Sequence, residues 1–322
     1  MAGGKKIITI GLCPCWDTVC RVDGIDWGEH KQVISTQSYP AGKALNISRV
    51  LAWMRVKNIA AGLWGSDDFV QFRNYIAQFR PLISDKMTVC TGTTRQNITI
   101  VNLHKQSEMH LRAPSELATK KSLRQLDKDL QQIVTLNSIC VFSGSMPDNE
   151  FLSDVLSIIR RCRKRGAAVV VDTSGTAYRK IVAQGNLLLI KPNVEELREL
   201  TGKKIPDTIP ELVKAARGLL DKTEMVLISR GAKGAIVVSK DYVLEARCTE
   251  KRTAVTTVAC GDYLLAGFLA GLVESNRMGS KLPILQRSLE LAIQSATARA
   301  WGCMEKDWFR VKRSVEVQMK MI

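Results

Sequence analysis

Short apolar runs alternate with amphipathic stretches along most of the chain. Runs at residues 7–12, 59–63, 139–142, 168–171, 187–190, 225–228 and 235–238 read as strands. Several are continuous rather than alternating, the pattern of strands covered on both faces. Helical periodicity fills the intervals: Ile47, Val50, Leu51 and Met54 fall at i, i+3, i+4 and i+7, as do Leu265, Phe268, Leu269 and Leu272. This alternation predicts an α/β fold, a mostly parallel central sheet flanked by helices on both faces. Two segments, at about 19–39 and about 91–111, break the rhythm. The second holds Asn97-Ile98-Thr99-Ile100-Val101-Asn102, which alternates and is β-rich. The pair is expected to form a small β-sheet lid over a site at the C-terminal ends of the main strands. Two loops without a role are the alternative.

Length and composition fit a single domain over residues 1–322, with 45% hydrophobic and 24% charged residues and no repeat or long polar linker. No window approaches the roughly 18–20 apolar residues of a membrane span, so no membrane partner is expected. Lys5 and Lys6 precede a short apolar run without a small-residue cleavage site, which argues for a buried first strand over a signal peptide. A net charge of +16 admits nucleic-acid binding. The basic residues are scattered, however, and small polyanionic ligands account for the same balance. The densest cluster, Arg160-Arg161-Cys162-Arg163-Lys164-Arg165, is expected at the exposed C-terminal turn of a helix, where cations suit the dipole. Nine cysteines and three histidines show no Cys-x-x-Cys spacing, even where Cys13, Cys15 and Cys20 lie close together. Buried free thiols in a reducing compartment are expected, and hence a cytoplasmic protein.

The chemistry-bearing motifs fall at strand ends and helix starts. Thr257-Val258-Ala259-Cys260-Gly261-Asp262 runs directly into an apolar helical stretch. A small-residue turn there leaves backbone N–H groups free to hold an anion and sets one carboxylate beside it. An anion hole with an adjacent base is the minimal equipment for phosphoryl transfer to a hydroxyl. A turn followed by a dipole-favoured acid is the plain alternative. In Ala41-Gly42-Lys43-Ala44-Leu45-Asn46, Lys43 and Asn46 project from a first helical turn, and a lysine opposed to the dipole there calls for an anionic partner. Arg95, at the start of the inserted β pattern, could clamp a phosphate or stand exposed without a role. Ser143-Gly144-Ser145 follows a strand, where open α/β sheets place ligands. In Lys191-Pro192-Asn193-Val194-Glu195-Glu196, Asn193 and Glu196 share a helix face and could order Mg²⁺-bound waters or simply serve the helix N-terminus. Ser229-Arg230-Gly231-Ala232-Lys233-Gly234 could cradle nucleotide phosphates or form a hairpin.

In their order these motifs resemble the ribokinase-like PfkB family of carbohydrate kinases, in its 1-phosphofructokinase/tagatose-6-phosphate kinase branch. The similarity includes Cys13-Pro14-Cys15-Trp16-Asp17-Thr18, Thr94-Arg95-Gln96-Asn97, Ser143-Gly144-Ser145-Met146-Pro147 and Asp172-Thr173-Ser174-Gly175, and runs essentially end to end. The resemblance implies an ATP- and Mg²⁺-dependent kinase of a phosphorylated ketose, with fructose 1-phosphate first. Tagatose 6-phosphate, a 6-phosphofructokinase, or a non-catalytic binder of sugar phosphate or nucleotide are the alternatives. It implies Asp262 as the base and the amides of Ala259, Cys260, Gly261 and Asp262 as the anion hole. Asp17, Gly42, Lys43 and Asn46 would hold the sugar, while Lys43, Arg95 and Asn97 would hold its phosphate. Asn193, Ser229, Gly231 and Gly234 would line the ATP side, and Glu196 with Asn193 would organise Mg²⁺ through water. A homodimer formed through the lid is implied as well. Ala44, Ala259 and Cys260 depart from the family's Gly, Gly and Ala. The Ala44 methyl is expected to intrude on the sugar, and Ala259 would be strained if its position needs a positive φ.

Overall fold

The structure is a computed structural model that describes residues 5–105, 107–274, 280–303 and 307–322. Its first half runs β1 (Lys6–Gly11), β2 (Cys15–Val22), β3 (Ser35–Ala41), α1 (Lys43–Trp53), β4 (Asn58–Gly65), α2 (Phe69–Ile76), β5 (Ile83–Cys90), β6 (Gln96–Asn102), β7 (Ser107–Leu111) and α3 (Lys120–Ile133). It continues with β8 (Ser138–Ser143), α4 (Leu152–Lys164), β9 (Ala168–Asp172), α5 (Gly175–Ala183), β10 (Leu187–Ile190), α6 (Val194–Thr201) and α7 (Ile209–Arg217). The last part holds β11 (Thr223–Ser229), β12 (Ala235–Ser239), β13 (Val243–Cys248), α8 (Cys260–Glu274), α9 (Lys281–Ala300), α10 (Trp308–Ser314) and β14 (Val317–Met321).

Ten strands form the main sheet in the order β14-β13-β12-β11-β10-β9-β8-β1-β4-β5. From β5 to β11 every pairing is parallel, and β12, β13 and β14 extend that edge antiparallel. All seven apolar runs of the sequence are strands of this sheet. Their continuous hydrophobicity has its reason in two cores, one on each face. In β9, Val169 and Val171 pack with the helices α3 to α7, while Val170 faces α1, α8 and α9. In β12, Ile236 and Val238 take the first side and Ala235 and Val237 the second. A strand buried on both faces leaves few positions for a polar side chain.

Helix α8 is buried almost all round and packs closely on α9. A Cβ at Gly267 would lie 2.4 Å from the Leu291 carbonyl oxygen, and one at Gly271 would lie 2.3 Å from the Ser288 Cα. These glycines are what let the two backbones approach, and they fix the axis of the helix that starts at Asp262's turn. The arginine-rich cluster forms the last turn of α4 as expected from the dipole: Arg161 pairs with Asp127 at 2.7 Å, and Arg163 donates to the Gly185 carbonyl.

The small second sheet has the order β3-β2-β6-β7, with β2 and β6 parallel and the outer pairs antiparallel. It includes both segments that broke the sequence rhythm. Its first strand starts at Cys15, ahead of residue 19, so Asp17 lies on this sheet and not in the loop leading to it. Asp68 ties the sheet to the body: it accepts from the Trp16 indole N–H, the Thr94 amide at 3.2 Å and the Thr94 hydroxyl at 3.1 Å. All nine cysteines are free thiols, and no helix among the described residues is long and apolar enough to cross a membrane.

Candidate active site

Asp262 sits in the first turn of α8 and is 5% exposed. The turn before it depends on Ala259, whose φ is +65°. A left-handed residue there bends the chain so that successive N–H groups point to one side, the geometry of an anion-binding nest. The four amides are not equivalent. Asp262 N–H donates to the Ala259 carbonyl at 2.9 Å, and Cys260 N–H makes a long 3.5 Å contact to the Thr257 carbonyl. Ala259 and Gly261 have amides with no backbone acceptor among the described residues. The alanine strain foreseen at position 259 is present. The Ala44 methyl, by contrast, does not reach toward a ligand. Ala44 is buried, and a Cβ added to Gly11 of β1 would lie 3.2 Å from its methyl, so the expected intrusion becomes packing against the sheet.

Three adjacent parallel strands deliver the charges that face this turn. Asp172 ends β9 and is 0% exposed. Its carboxylate meets Lys191 at 3.1 Å, Lys43 at 3.5 Å and the Ser143 hydroxyl at 3.2 Å. Burial alone would raise the Asp172 carboxyl, but Lys191 and Lys43 outweigh it and hold it below the usual carboxylate range. Lys43 is therefore the cation whose anionic partner the sequence required. Burial works against its charge, and Asp172 and then Asp262 overcome that, so its pKa is raised. Lys191 reaches further: a Cβ on Gly261 would lie 3.3 Å from its ammonium nitrogen, which puts a buried cation beside the open amides. Asp172, Lys191 and Ser143 were not picked out individually by sequence. Their signal is position, at or just past the C-terminal ends of neighbouring parallel strands.

Asp262 itself is pushed up to about 6, first by burial and then by the Asp172 charge. The hydrogen bond from Asn46 and the charges of Lys43 and Lys191 oppose that rise. Asn46 Nδ2 donates to Asp262 Oδ2 at 2.7 Å. A carboxyl poised near neutral pH, hydrogen-bonded on one oxygen only and flanked by two ammonium groups, suits a general base. Burial also raises the neighbouring Cys260 thiol, so it remains protonated.

The small sheet presents a second polar cluster. Register places Asp17 opposite Tyr39 on one side and Asn97 on the other. Asn97 Nδ2 donates to Asp17 Oδ1 at 3.1 Å, and the Cys15 thiol donates to the same oxygen at 3.3 Å. Among the described residues no side-chain hydrogen bond reaches the second oxygen of Asp17. Gly42 caps α1 with a φ of +112°, which only glycine adopts without strain, and so starts the helix that carries Lys43 and Asn46. Arg95 is turned inward: its guanidinium donates to the Cys13 carbonyl at 3.0 Å, the Ala113 carbonyl at 2.8 Å and the Pro14 carbonyl at 3.3 Å. Among the described residues that leaves one N–H on each terminal nitrogen without a carbonyl partner. Arg112, just past β7, is close enough to Cys15 to counter the burial that raises its thiol.

On the other side, Asn193 and Glu196 form a reciprocal capping box for α6. Glu196 N donates to Asn193 Oδ1 and Asn193 N to Glu196 Oε2, both at 2.8 Å. One oxygen of Glu196 stays open, and Asn193 pairs with Ser229 at the end of β11. The described residues hold no cluster of three carboxylate, His or Cys side chains that would cage a metal. The donors present suit a cation that keeps its waters and phosphate ligands. Gly231 and Gly234 turn the β11–β12 hairpin, and a Cβ at Gly234 would lie 2.1 Å from the Ala246 carbonyl oxygen. A surface cleft of about 610 Å³ among α9, α10 and β14 is lined by none of the residues above.

Comparison with known proteins bears on this geometry directly. The profile of the pfkB family carbohydrate kinases matches residues 5–303. The chain belongs to that family. This pfkB kinase is therefore a phosphotransferase. It is 30% identical over 277 residues to a 1-phosphofructokinase of Haemophilus influenzae, covering 83% of this chain and 84% of the relative. A tagatose-6-phosphate kinase of Staphylococcus epidermidis is 24% identical over 97% of this chain and 99% of its own. The solved phosphofructokinase-2 of Escherichia coli in complex with fructose-6-phosphate superposes with a TM-score of 0.86 at 21% identity, over 97% of this chain and 99% of that one. That likeness shows the fold: a large, mostly parallel sheet between helices, with a small separate sheet.

Proposed function

We propose that this kinase transfers the γ-phosphate of ATP to a hydroxyl of a phosphorylated ketose, with fructose 1-phosphate as first acceptor and fructose 1,6-bisphosphate as product. The observation that carries this reading is Asp262, buried and raised to about 6, beside the open amides of Ala259 and Gly261. The hydroxyl oxygen of the sugar forms the new bond to the γ-phosphorus, its proton passes to Asp262 Oδ, and the bond from phosphorus to the leaving oxygen of ADP breaks. The amides of Ala259, Cys260 and Gly261 and the ammonium of Lys191 hold the transferring group where its charge develops. Asp17, Gly42 and Asn46 orient the sugar, with Asn97 fixing the Asp17 carboxylate. Lys43, the free N–H groups of Arg95 and, in addition, Arg112 meet the phosphate already on the substrate. Ser229, Gly231 and Gly234 border the nucleotide. Asn193 and Glu196 would hold Mg²⁺ through its water shell, and the ion would supply neutralisation of phosphate charge.

Two relatives from the same comparison, named 1-phosphofructokinase and tagatose-6-phosphate kinase, support a phosphosugar acceptor. Tagatose 6-phosphate is accordingly the second candidate. The small sheet serves as the lid of the site, and with Trp27, Ile34 and Leu111 exposed around it, it is also the proposed face of a homodimer. The acceptor is tested by ADP release with Mg·ATP against fructose 1-phosphate, fructose 6-phosphate, tagatose 6-phosphate, fructose and ribose. Turnover confined to one phosphosugar supports the reading. Turnover on free sugars alone removes Lys43, Arg95 and Arg112 from the phosphate site.

A further inference from the structure

Asn46 stands between two groups of opposite demand. Its amide nitrogen donates to Asp262 Oδ2 at 2.7 Å, and its amide oxygen accepts from Arg49 Nη2 at 2.7 Å. An ionised carboxylate only accepts and a guanidinium only donates. The amide is thus satisfied in one orientation only, and Arg49 is the group that enforces it. Without Arg49 the amide could rotate once Asp262 is protonated and accept from the carboxyl O–H, which would favour the protonated form.

The surroundings of Arg49 are unusual for a structural arginine. Its Nη1 donates to the Tyr75 hydroxyl on α2 at 3.0 Å, and its guanidinium carbon lies 5.4 Å from the centre of the Tyr39 ring on β3. Its Nε is buried without an acceptor, and it joins none of the ion pairs found among the described residues. A cation without a carboxylate mate is a poor stabilising device. Its contacts instead join three things: the body through α2, the small sheet through Tyr39, and the base through Asn46. Tyr39 lies directly opposite Asp17 in the sheet register.

We infer that Arg49 is a positioning residue of the phosphoryl-transfer site: it locks the Asn46 amide so that its N–H faces Asp262, and it links that lock to the small sheet through Tyr39. The inference rests on Asp262 acting as the base. The groups that face Asp262 are Lys43 and Asn46 from α1, Asp172 at the end of β9, Lys191 after β10 and Cys260 on its own helix. Arg299 of α9 faces Cys260. Of these, Asn46 alone bonds to Arg49.

The test uses a readout that needs no turnover. The difference in stability between the enzyme and its Asp262→Asn variant is followed from pH 4 to 8, and its slope against pH falls to zero with a midpoint at the titration of Asp262 in the folded state. The midpoint is expected near 6 with Arg49 present. In the Arg49→Met background it is expected to move up by about one pH unit, as the freed amide favours the protonated carboxyl and a nearby positive charge is lost. Arg49→Gln separates the two causes, because it is neutral yet can donate to Asn46 Oδ1. Recovery of the midpoint toward 6 in Arg49→Gln supports orientation. If Arg49→Gln behaves as Arg49→Met does, charge alone is at work and the inference falls. An unmoved midpoint in both variants, with a pH-independent loss of stability, makes Arg49 merely structural and also overturns it. Should Arg49→Met fail to fold, Arg49→Gln and Arg49→Lys carry the comparison, Lys keeping the charge. With the acceptor found active, kcat/KM at pH 6 is expected to fall about fivefold in Arg49→Met, with KM for ATP unchanged. Turnover in Asp262→Asn would remove the base assignment while leaving the stability midpoints to report on Arg49, so the two failures are told apart.

Discussion

Asp262 is under opposing demands, because the burial that makes it a competent base also makes its charge costly to the fold. Its carboxyl is raised from 3.8 to about 6. A carboxyl whose folded value exceeds its unfolded value binds its proton more tightly in the folded state. Stability therefore falls as pH rises from about 4 to about 6 and stays lowered above that. Asp262→Asn is expected to be more stable than the parent at pH 8, by on the order of 2–3 kcal/mol, with the gain vanishing near pH 4. Thermal melts of the two proteins across that range check the sign. Catalysis runs the other way: the base must be ionised, so kcat/KM is expected to rise with pH through an acid limb near 6 and to level off above it. A flat profile from pH 5 to 8 would contradict the assignment. Ala259 makes a related trade. A non-glycine residue at φ +65° is strained by about 1–2 kcal/mol, while glycine would cost about 0.4–1 kcal/mol through the unfolded chain. Ala259→Gly is expected to stabilise by about 0.5–1 kcal/mol and to retain turnover, as measured by denaturant unfolding and ADP release. A loss of stability would mean that the methyl packs favourably enough to outweigh its strain.

At the scale of elements, the catalytic turn is held by packing far from it. Gly267 and Gly271 seat α8 against α9, and Ser295 Oγ donates to the Tyr263 carbonyl at 2.7 Å in the first turn of α8. Gly271→Ala would set a Cβ 2.3 Å from the Ser288 backbone. It is expected to destabilise by about 1–3 kcal/mol and to lower kcat through displacement of Asp262, read from unfolding curves beside the turnover assay. The strands of the two-sided core were legible in the sequence because burial on both faces leaves continuous apolar runs. Of the strands with a wet face, β6 was legible by its alternation, but others were not. β5 reads Ile-Ser-Asp-Lys-Met-Thr-Val-Cys, with exposed Ser84, Lys86 and Val89 on an edge. β14 pairs only with β13 and carries Gln318 and Lys320 outward. In the small sheet every residue of β7 is exposed, so no apolar face announced it.

In the whole molecule, function concentrates where seven parallel strands end together and a small sheet stands opposite. Motif spacing disclosed the residues at element boundaries, such as Lys43, Asn46 and Asp262. Asp172 and Lys191 needed the fold, since their role comes from β8, β9 and β10 lying side by side. Arg95 shows the converse. Its motif suggested a phosphate clamp, and its three carbonyl partners show how much of an arginine can be committed to holding its own chain. The central claim is that this geometry moves a phosphoryl group with Asp262 as base. Measuring kcat and acceptor affinity of Asp262→Asn beside the parent, with Mg·ATP and the acceptor identified by the panel, tests it most directly. Turnover is expected to fall by roughly a thousandfold or more, with acceptor affinity within a few fold. Turnover equal to the parent's would contradict the claim.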